Sequence, residues 1–261
     1  KQYPIHSAQR DVLDSKTRFT AAIAGTGGGK TVLGPLWLAK QIALAIEKEE
    51  YFLGMVIAPT YKVLARATVP CLVETFKDTH LEGRWFESRN VYELPDNLGK
   101  IWCQGADNPG GLEGGQFSAV WIDEGGQCKF PVWVAVQGRT GAKMAPILIT
   151  TTPYGKNWLF SDFYKRFETG DKDYYVRQWS SFQNPAYPQE EYDRAKRTMT
   201  PEKAAMRYDG KFSKLEGLVY PSIADCYVEA SPLDVISNSG KFVGGIDFGW
   251  NDPFAAVCGF V

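Results

Sequence analysis

The chain has 261 residues, 44% hydrophobic and 23% charged, which is the composition of a globular protein and excludes a disordered one. Its net charge of −1 excludes nucleic-acid binding by a general basic field, so any DNA contact is expected to be local or shared among several copies. Five scattered cysteines argue against a disulfide framework or zinc site, and no apolar run is long enough to span a membrane, which predicts a soluble, intracellular protein.

Short apolar runs alternate with helical patterns over the first 180 residues, as in a mostly parallel sheet wrapped by helices. The predicted strands are Phe19–Ala24, Phe52–Ala58, Ala119–Ile122 and Ile147–Thr150. The predicted helices are Thr31–Glu49 and Tyr61–Lys77. Val91–Glu93 and Ile101–Cys103 flank a turn and predict a hairpin. The fold class is therefore predicted to be α/β.

The composition changes after residue 180. Prolines precede the charged stretch Gln189–Arg197, which predicts a solvated helix, and Ser231–Gly240 predicts a loop. Phe242–Phe248 and Phe254–Val261 then predict a final hairpin. We divide the chain into a core over 1–180, a linker subdomain over 181–240 and a hairpin over 241–261. Because the chain begins without methionine and ends in an apolar run, we expect a piece of a longer protein.

A glycine-rich turn lies between the first strand and the first long helix and fits the phosphate-binding loop pattern. An alanine stands where the first glycine of that pattern usually is. Backbone N–H groups and the helix N-terminus hold phosphate there, while the lysine and hydroxyl reach the phosphates and Mg²⁺. The predicted nucleotide-binding residues are Gly25, Thr26, Gly27, Gly28, Gly29, Lys30 and Thr31. The alternative is a glycine-rich turn that precedes Lys-Thr by chance.

The run Phe117–Glu124 is an apolar strand that ends in two adjacent carboxylates, the Walker B pattern. Side chains alternate along a strand, so Asp123 is predicted to serve the Mg²⁺ shell and Glu124 the water that attacks the terminal phosphate. Alone, a strand-end Asp-Glu pair could be a helix cap or a solvated edge. Together with the phosphate loop it predicts an ATP site with Mg²⁺, in which Lys30 and Glu124 are catalytic.

Two further positions are candidates for nucleotide contacts. Threonines end the predicted strand Ile147–Thr150, where the carboxyl edge of a parallel sheet binds ligands, and we take Thr151 as a sensor of the terminal phosphate. Gln9 could bind the adenine edge, because its amide both donates and accepts hydrogen bonds. The alternatives are a strand that simply ends in threonine and proline, and a surface glutamine.

The order of Gln9, the phosphate loop, Ala58–Tyr61, Ile122–Glu124 and Thr150–Pro153 resembles the ATPase domain of tailed-phage large terminases. The resemblance covers nearly the whole chain. It implies a P-loop fold of the RecA-like (ASCE) type and an ATP-driven motor that moves double-stranded DNA into an empty viral head. It also implies a portal protein, a small terminase subunit and a homo-oligomeric ring as partners, in the host cytoplasm and transiently at the portal.

The resemblance extends to two further residues. The final hairpin looks like the start of the RNase H-like nuclease that follows this ATPase in terminases, where Asp247 would be one of several metal ligands. Many terminases also carry an arginine inside the phosphate loop, which this sequence lacks. Arg139, between Gly138 and Gly141, is our candidate for the missing charge as a mobile arginine finger that acts on a neighbouring subunit. The alternatives are a hairpin aspartate and an exposed loop arginine.

Two other functional classes fit parts of the sequence. Gln137–Gly141 superficially resembles the arginine motif of a superfamily 2 helicase, but that motif follows a second motor domain, whereas here it precedes Thr150–Pro153. A scaffold protein that keeps the fold without turnover is the other alternative. The intact Lys30, Asp123 and Glu124 argue against it.

Overall fold

The computed structural model describes residues 3–107, 115–213, 242–247 and 255–260. The chain divides into two compact units, Lys1–Glu216 and Gly217–Val261. Residues 181–213, which sequence analysis assigned to a separate linker subdomain, therefore belong to the same unit as the core. The loop Ser231–Gly240 lies outside the described residues. None of the described helices is both long enough and apolar enough to cross a bilayer.

The first unit contains an eight-stranded sheet, as the α/β prediction requires. The strands, in chain order, are β1 Phe19–Ala24, β2 Phe52–Ala58, β3 Arg84–Phe86, β4 Val91–Glu93, β5 Gly99–Gly105, β6 Ala119–Asp123, β7 Ile147–Thr151 and β8 Tyr174–Trp179. Their order across the sheet is β3-β4-β5-β2-β6-β7-β1-β8. The strands from β5 to β8 in this order are parallel to one another, and β3 and β4 extend the sheet beyond β5 in antiparallel pairing.

Helices cover both faces of this sheet. They are α1 Ser7–Asp14, α2 Lys30–Glu47, α3 Tyr61–Val63, α4 Val69–Phe76, α5 Phe130–Thr140, α6 Lys165–Glu168, α7 Gln189–Thr198 and α8 Pro201–Arg207. A π-helical turn, Leu64–Thr68, joins α3 to α4, so the predicted helix over Tyr61–Lys77 is present with one widened turn. Another π-helical segment, Leu159–Tyr164, precedes α6.

Strand alternation divides the core into two layers. Ala22 and Ala24 of β1 join the buried cluster under α2, whereas Ala21 and Ile23 join the cluster under α5. Because both faces are covered, the central strands read as continuous apolar runs rather than as alternating patterns. This continuity made β1, β2, β6 and β7 predictable from sequence.

Helix α2 contains Pro35, which has no backbone N–H to donate to the carbonyl of Thr31. The Cys71 thiol of α4 lies 3.5 Å from that carbonyl and donates to it instead. The proline thus leaves room for a contact between α4 and the first turn of α2, next to the phosphate loop.

The elements that were not predicted from the sequence are α1, β3, α5, α6, β8 and α8. The run that forms α5 is rich in β-branched and aromatic residues, which favour strands, but Pro131 opens a helix and Trp133 packs on Phe19 with ring centroids 5.2 Å apart. Tertiary packing here overrides propensity. Strand β3 has only three residues, and α8 is a short helix capped by the Thr200 hydroxyl.

The second unit contributes two described strands, β9 Phe242–Asp247 and β10 Ala255–Phe260. They pair in antiparallel register, with Asp247 opposite Ala255. The predicted pairing of the two final strands is therefore present over the described residues.

Candidate nucleotide site

The phosphate loop joins β1 to α2 and takes a conformation that requires glycine at two positions. Gly27 and Gly29 have φ of +74° and +81°, in the left-handed region. A Cβ on Gly27 would lie 2.4 Å from the Tyr187 ring, and one on Gly29 would lie 2.7 Å from the Gln9 amide. Both the backbone angle and the close neighbours exclude a side chain here.

Every loop carbonyl from residue 24 to residue 29 accepts a hydrogen bond. The donors are Lys30 Nζ for Ala24 and Gly25, Ser181 Oγ for Thr26, Asn184 Nδ2 for Gly27, Trp179 Nε1 and His6 Nε2 for Gly28, and Gln9 Nε2 for Gly29. With the carbonyls held outward, the N–H groups of Gly27, Gly29, Lys30 and Thr31 find no acceptor among the described residues. Successive free N–H groups at a helix N-terminus form an anion-binding concavity.

This concavity opens into a cavity of about 440 Å³. It is lined by Thr26, Gly27, Gly29, Lys30, Thr31, Val32, Glu124, Thr152 and Tyr154. The structure thus brings five of the seven predicted loop residues and one Walker B carboxylate to the same space, whereas Gly25 and Gly28 do not line it.

Lys30 is only 6% exposed, and its Nζ lies 3.1 Å from the Ala24 carbonyl and 2.9 Å from that of Gly25. Burial lowers the pKa of its ammonium, while Glu124 and Asp123 oppose that shift. The lysine therefore sits between the loop and the two carboxylates.

Asp123 is 2% exposed and lies behind the cavity lining. Its carboxylate accepts hydrogen bonds from the hydroxyls of Thr68 and Thr150, both at 2.8 Å, and from the Glu124 N–H at 3.2 Å. Burial raises the pKa of Asp123, and these hydrogen bonds oppose the shift. These three hydrogen bonds fix the orientation of the carboxylate.

Glu124 leaves the strand with a left-handed backbone, φ 49°. The different placement of the Glu124 and Asp123 side chains is therefore set by this turn. It is not set by alternation along the strand, which sequence analysis had proposed, because β6 ends at Asp123. The Thr152 N–H lies 3.4 Å from Glu124 Oε2. Burial raises the pKa of Glu124, and Lys30 opposes the shift. A half-buried carboxylate with a raised pKa beside a phosphate cradle is suited to proton transfer.

The structure corrects the choice of Thr151. Its side chain is fully buried, donates to the Thr152 carbonyl and accepts from the Gly126 N–H at 3.1 Å. Thr152 lines the cavity instead. Thr150 supports Asp123 and accepts from Trp121 Nε1 at 2.8 Å. Because strand side chains alternate, Thr150 and Thr151 face opposite layers of the sheet.

The amide of Gln9 is buried and already engaged. Its oxygen accepts from the His6 N–H at 3.1 Å, and its nitrogen donates to the Gly29 carbonyl at 2.9 Å. These bonds show Gln9 supporting the phosphate loop. The adenine contact stays a prediction.

The interpretation of Arg139 as a mobile loop residue is wrong. Arg139 lies in the last turn of α5, and its carbonyl accepts from the Phe117 N–H at 3.0 Å. This contact places Arg139 near the amino end of β6. Asp123 lies at the other end of that strand, about 20 Å away, because an extended chain rises about 3.3 Å per residue. Arg139 therefore does not reach the cavity of its own chain, and its action on a neighbouring subunit stays a prediction.

Asp247 is the last residue of β9, and its side chain lies outside the described part of the chain. No group of three or more His, Cys, Asp or Glu side chains that could hold a metal occurs among the described residues. The cysteines whose surroundings are described, Cys71, Cys103 and Cys128, are free thiols.

Sequence reasoning missed several residues that build this site. They are Thr68, Thr152, Tyr154, Trp179, Ser181 and Asn184. Alternation along β7 could have favoured Thr152 over Thr151. The others act through single hydrogen bonds between distant segments and carry no motif.

A mostly parallel sheet with a phosphate loop after β1 and paired carboxylates at the end of β6 defines a P-loop fold of the RecA-like type. Residues 22–223 match the family model described as the N-terminal part of the large terminase subunit of the T4likevirus type. The chain belongs to the large terminase family, as the sequence resemblance indicated.

Solved structures show the same fold. The ATPase domain of the Thermus phage P74-26 large terminase has a TM-score of 0.65 at 20% identity, covering 81% of this chain and 95% of that domain. The large terminase of a thermophilic bacteriophage, solved with ADP, has a TM-score of 0.72 at 14% identity, covering 99% of this chain and 65% of that protein. The HK97 bacteriophage large terminase has a TM-score of 0.63 at 15% identity, covering 99% and 60%. No curated protein matches the sequence.

Proposed function

We propose that this chain binds and hydrolyses ATP with Mg²⁺, and that hydrolysis moves double-stranded viral DNA into a procapsid. The observation that carries the proposal is the joint arrangement of free loop N–H groups, Lys30 and Glu124 around one cavity. The family match supports it, as do structures of a related large terminase with ADP and with ATP-gamma-S.

The residues present fit a nucleotide phosphate. Four N–H groups without acceptors face the cavity, and glycine is required where backbone and phosphate would approach most closely. Lys30 already donates to two oxygens and can exchange them for phosphate oxygens without leaving the loop.

The residues also fit Mg²⁺, which takes one or two protein oxygens and completes its shell with phosphates and water. Thr31 lines the cavity and the buried Asp123 lies behind it, so these two residues would hold the ion. When bound, Mg²⁺ would neutralise the negative charge that develops on the phosphate. Thr68 and Thr150 hold Asp123 in position for this role.

Glu124 is positioned to orient the attacking water and to accept its proton. It lines the cavity opposite the loop, and the Thr152 N–H restrains its carboxylate. Its raised pKa makes it a stronger base than an exposed glutamate.

The chain spans 65% of the thermophilic phage terminase and 60% of the HK97 protein, so the wider activity belongs to the proposal. We propose a homo-oligomeric ring that works with a portal protein and a small terminase subunit, in the host cytoplasm and transiently at the procapsid portal. Asp247 is proposed as one metal ligand of an appended nuclease. Substitution of Asp247 should abolish DNA cleavage in the full-length protein and leave ATP hydrolysis unchanged.

The proposed ATPase is tested by two substitutions. Lys30→Ala should lose ATP binding, and Glu124→Gln should bind ATP but hydrolyse it about 10²–10⁴-fold more slowly, because it keeps the shape and loses the base. Phosphate release and binding of a fluorescent nucleotide measure the two effects. Glu190→Gln, an exposed position on α7, serves as the control.

Wild-type protein without hydrolysis would contradict the proposal, as would Glu124→Gln at the wild-type rate. Full-length protein that carries Glu124→Gln should also fail to package DNA into procapsids. If this variant packaged DNA at the wild-type level, DNA packaging would not depend on ATP hydrolysis at this site.

A further inference from the structure

The nucleotide cavity has little positive charge for a triphosphate. Of the described residues that line it, only Lys30 is cationic. The transition state of phosphoryl transfer spreads negative charge over the terminal oxygens, so a second cation would stabilise it. Arg139 lies at the opposite edge of the sheet and does not supply that charge within one chain.

A second cavity, of about 470 Å³, adjoins the nucleotide cavity. The two share Thr26, Thr152 and Tyr154 as a common wall. The remaining lining includes Arg207, the last residue of α8. Arg207 therefore lines a cavity that shares three residues with the cavity at the phosphate cradle.

The shared wall lies beside Glu124, because the Thr152 N–H approaches the Glu124 carboxylate. Glu124 is the carboxylate that would address the attacking water, so the terminal phosphate would lie on this side of the nucleotide cavity. Tyr154 lines both cavities. Burial raises the pKa of its phenol, Glu124 raises it further, and Arg207 opposes them. Glu124 and Arg207 are thus both close enough to Tyr154 to act on its phenol.

The backbone of α8 is fixed to the phosphate loop. The Thr26 N–H donates to the Arg207 carbonyl at 2.6 Å, and the Ser181 N–H donates to the Tyr208 carbonyl at 2.7 Å. These bonds hold the backbone at Arg207 beside the loop, and the residue is exposed. Side-chain substitution at position 207 leaves both bonds intact, because they involve only backbone atoms.

We propose that Arg207 is the second phosphate-binding cation of this site and contacts the terminal phosphate of the nucleotide bound by its own chain. The inference rests on the proposed ATPase function. Its guanidinium would turn across Tyr154 from the second cavity into the nucleotide cavity, and its planar donors suit phosphate oxygens.

The proposal predicts a specific loss in Arg207→Gln. The turnover number should fall about 10²-fold, which is the effect of removing one donor from a developing negative charge. Affinity for ATP-gamma-S should fall about tenfold, as for a lost charged hydrogen bond, and affinity for ADP should stay within about twofold. Isothermal titration and phosphate release measure these values. Arg207→Lys should recover part of both losses, and Arg197→Gln on α7 is the matched control.

Equal turnover and equal ATP-gamma-S affinity in Arg207→Gln and wild type would overturn the inference while leaving the ATPase intact. Equal losses for ADP and ATP-gamma-S would also overturn it, because they would show a role in holding the loop rather than in contacting the terminal phosphate. Wild-type protein that neither binds nor hydrolyses ATP would instead refute the proposed function. Thermal melting of each variant distinguishes unfolding from these outcomes.

Mixed subunits of the full-length protein separate action within a chain from action between chains. Arg207→Gln mixed with Glu124→Gln should recover no hydrolysis, because every site in the mixture lacks one of the two residues. Arg139→Ala mixed with Glu124→Gln should recover hydrolysis if Arg139 serves a neighbour, and crosslinking confirms mixed assembly. If the mixture of Arg207→Gln and Glu124→Gln subunits recovered hydrolysis, Arg207 would act on a neighbouring subunit and not on the nucleotide of its own chain.

Discussion

Two groups of residues build the nucleotide site in different ways. We call Lys30, Asp123, Glu124, Thr150 and Thr152 the sheet wall, and Gln9, Trp179, Ser181, Asn184 and Arg207 the outer wall. The sheet wall comes from the ends of β6 and β7 and the start of α2, and its residues Lys30, Glu124 and Thr152 line the cavity. Most of the outer wall binds the carbonyls of the phosphate loop from behind.

The comparison shows why only one wall carries a sequence motif. The sheet wall needs a lysine, two carboxylates and hydroxyls at fixed places, because each performs its own chemistry. The outer wall needs only a hydrogen-bond donor aimed at each carbonyl, and amide, hydroxyl, indole and imidazole groups all serve. Substitutions in the sheet wall should therefore cost more than substitutions in the outer wall.

The largest effect is expected where α2 packs against the sheet wall. A Cβ on Gly34 would lie 2.0 Å from the Trp121 ring, which is fully buried and donates to Thr150. Gly34→Ala should displace the indole and lower the free energy of unfolding by about 3 kcal/mol, from overpacking and the lost hydrogen bond. Chemical denaturation measures the loss.

Gly138→Ala in α5 is the matched control for this change. A Cβ there meets no atom within 4 Å, so the substitution should raise the free energy of unfolding by about 0.5–1 kcal/mol. If Gly34→Ala had the same free energy of unfolding as the wild type, α2 could shift away from Trp121 without loss of stability.

A smaller effect is expected at Thr68, behind the sheet wall. Thr68→Val removes a hydroxyl that donates to Asp123 at 2.8 Å and should weaken the Mg²⁺-dependent part of ADP affinity about 10–100-fold, as for a bond to a charged group. The ratio of ADP affinities with Mg²⁺ and with a chelator measures it. Thr68→Ser should restore the ratio, and an unchanged ratio in Thr68→Val would remove Thr68 from the metal site.

The smallest effect is expected in the outer wall. Asn184→Ala removes one donor, 2.7 Å from the Gly27 carbonyl, and should weaken ADP affinity about 2–10-fold with turnover unchanged, because a single exposed hydrogen bond is worth about 0.5–1.5 kcal/mol. Nucleotide titration measures the affinity, and Gln183→Ala, at the exposed neighbouring position, is the control variant. A loss as large as that of Thr68→Val would show that the two walls are equally sensitive.

The sequence was sufficient for the central strands, the phosphate loop and the family. Both faces of the sheet are covered, so β1, β2, β6 and β7 appear as uninterrupted apolar runs, and the phosphate chemistry demands a local order of glycines, lysine and carboxylates. Family membership then decided against the helicase alternative for Gln137–Gly141. The structure shows that Arg139 in that segment lies in the last turn of α5.

Only the tertiary structure decided which residues hold the loop and which end of the sheet each cation occupies. Thr68, Trp179, Ser181 and Arg207 meet the site across long stretches of chain, through single hydrogen bonds or a shared cavity wall. No spacing rule records such contacts, because any segment that ends near the loop can supply a donor. The sequence by itself therefore determined Lys30, Asp123 and Glu124 of the sheet wall, while packing determined its threonines, the outer wall and the geometry of the phosphate loop.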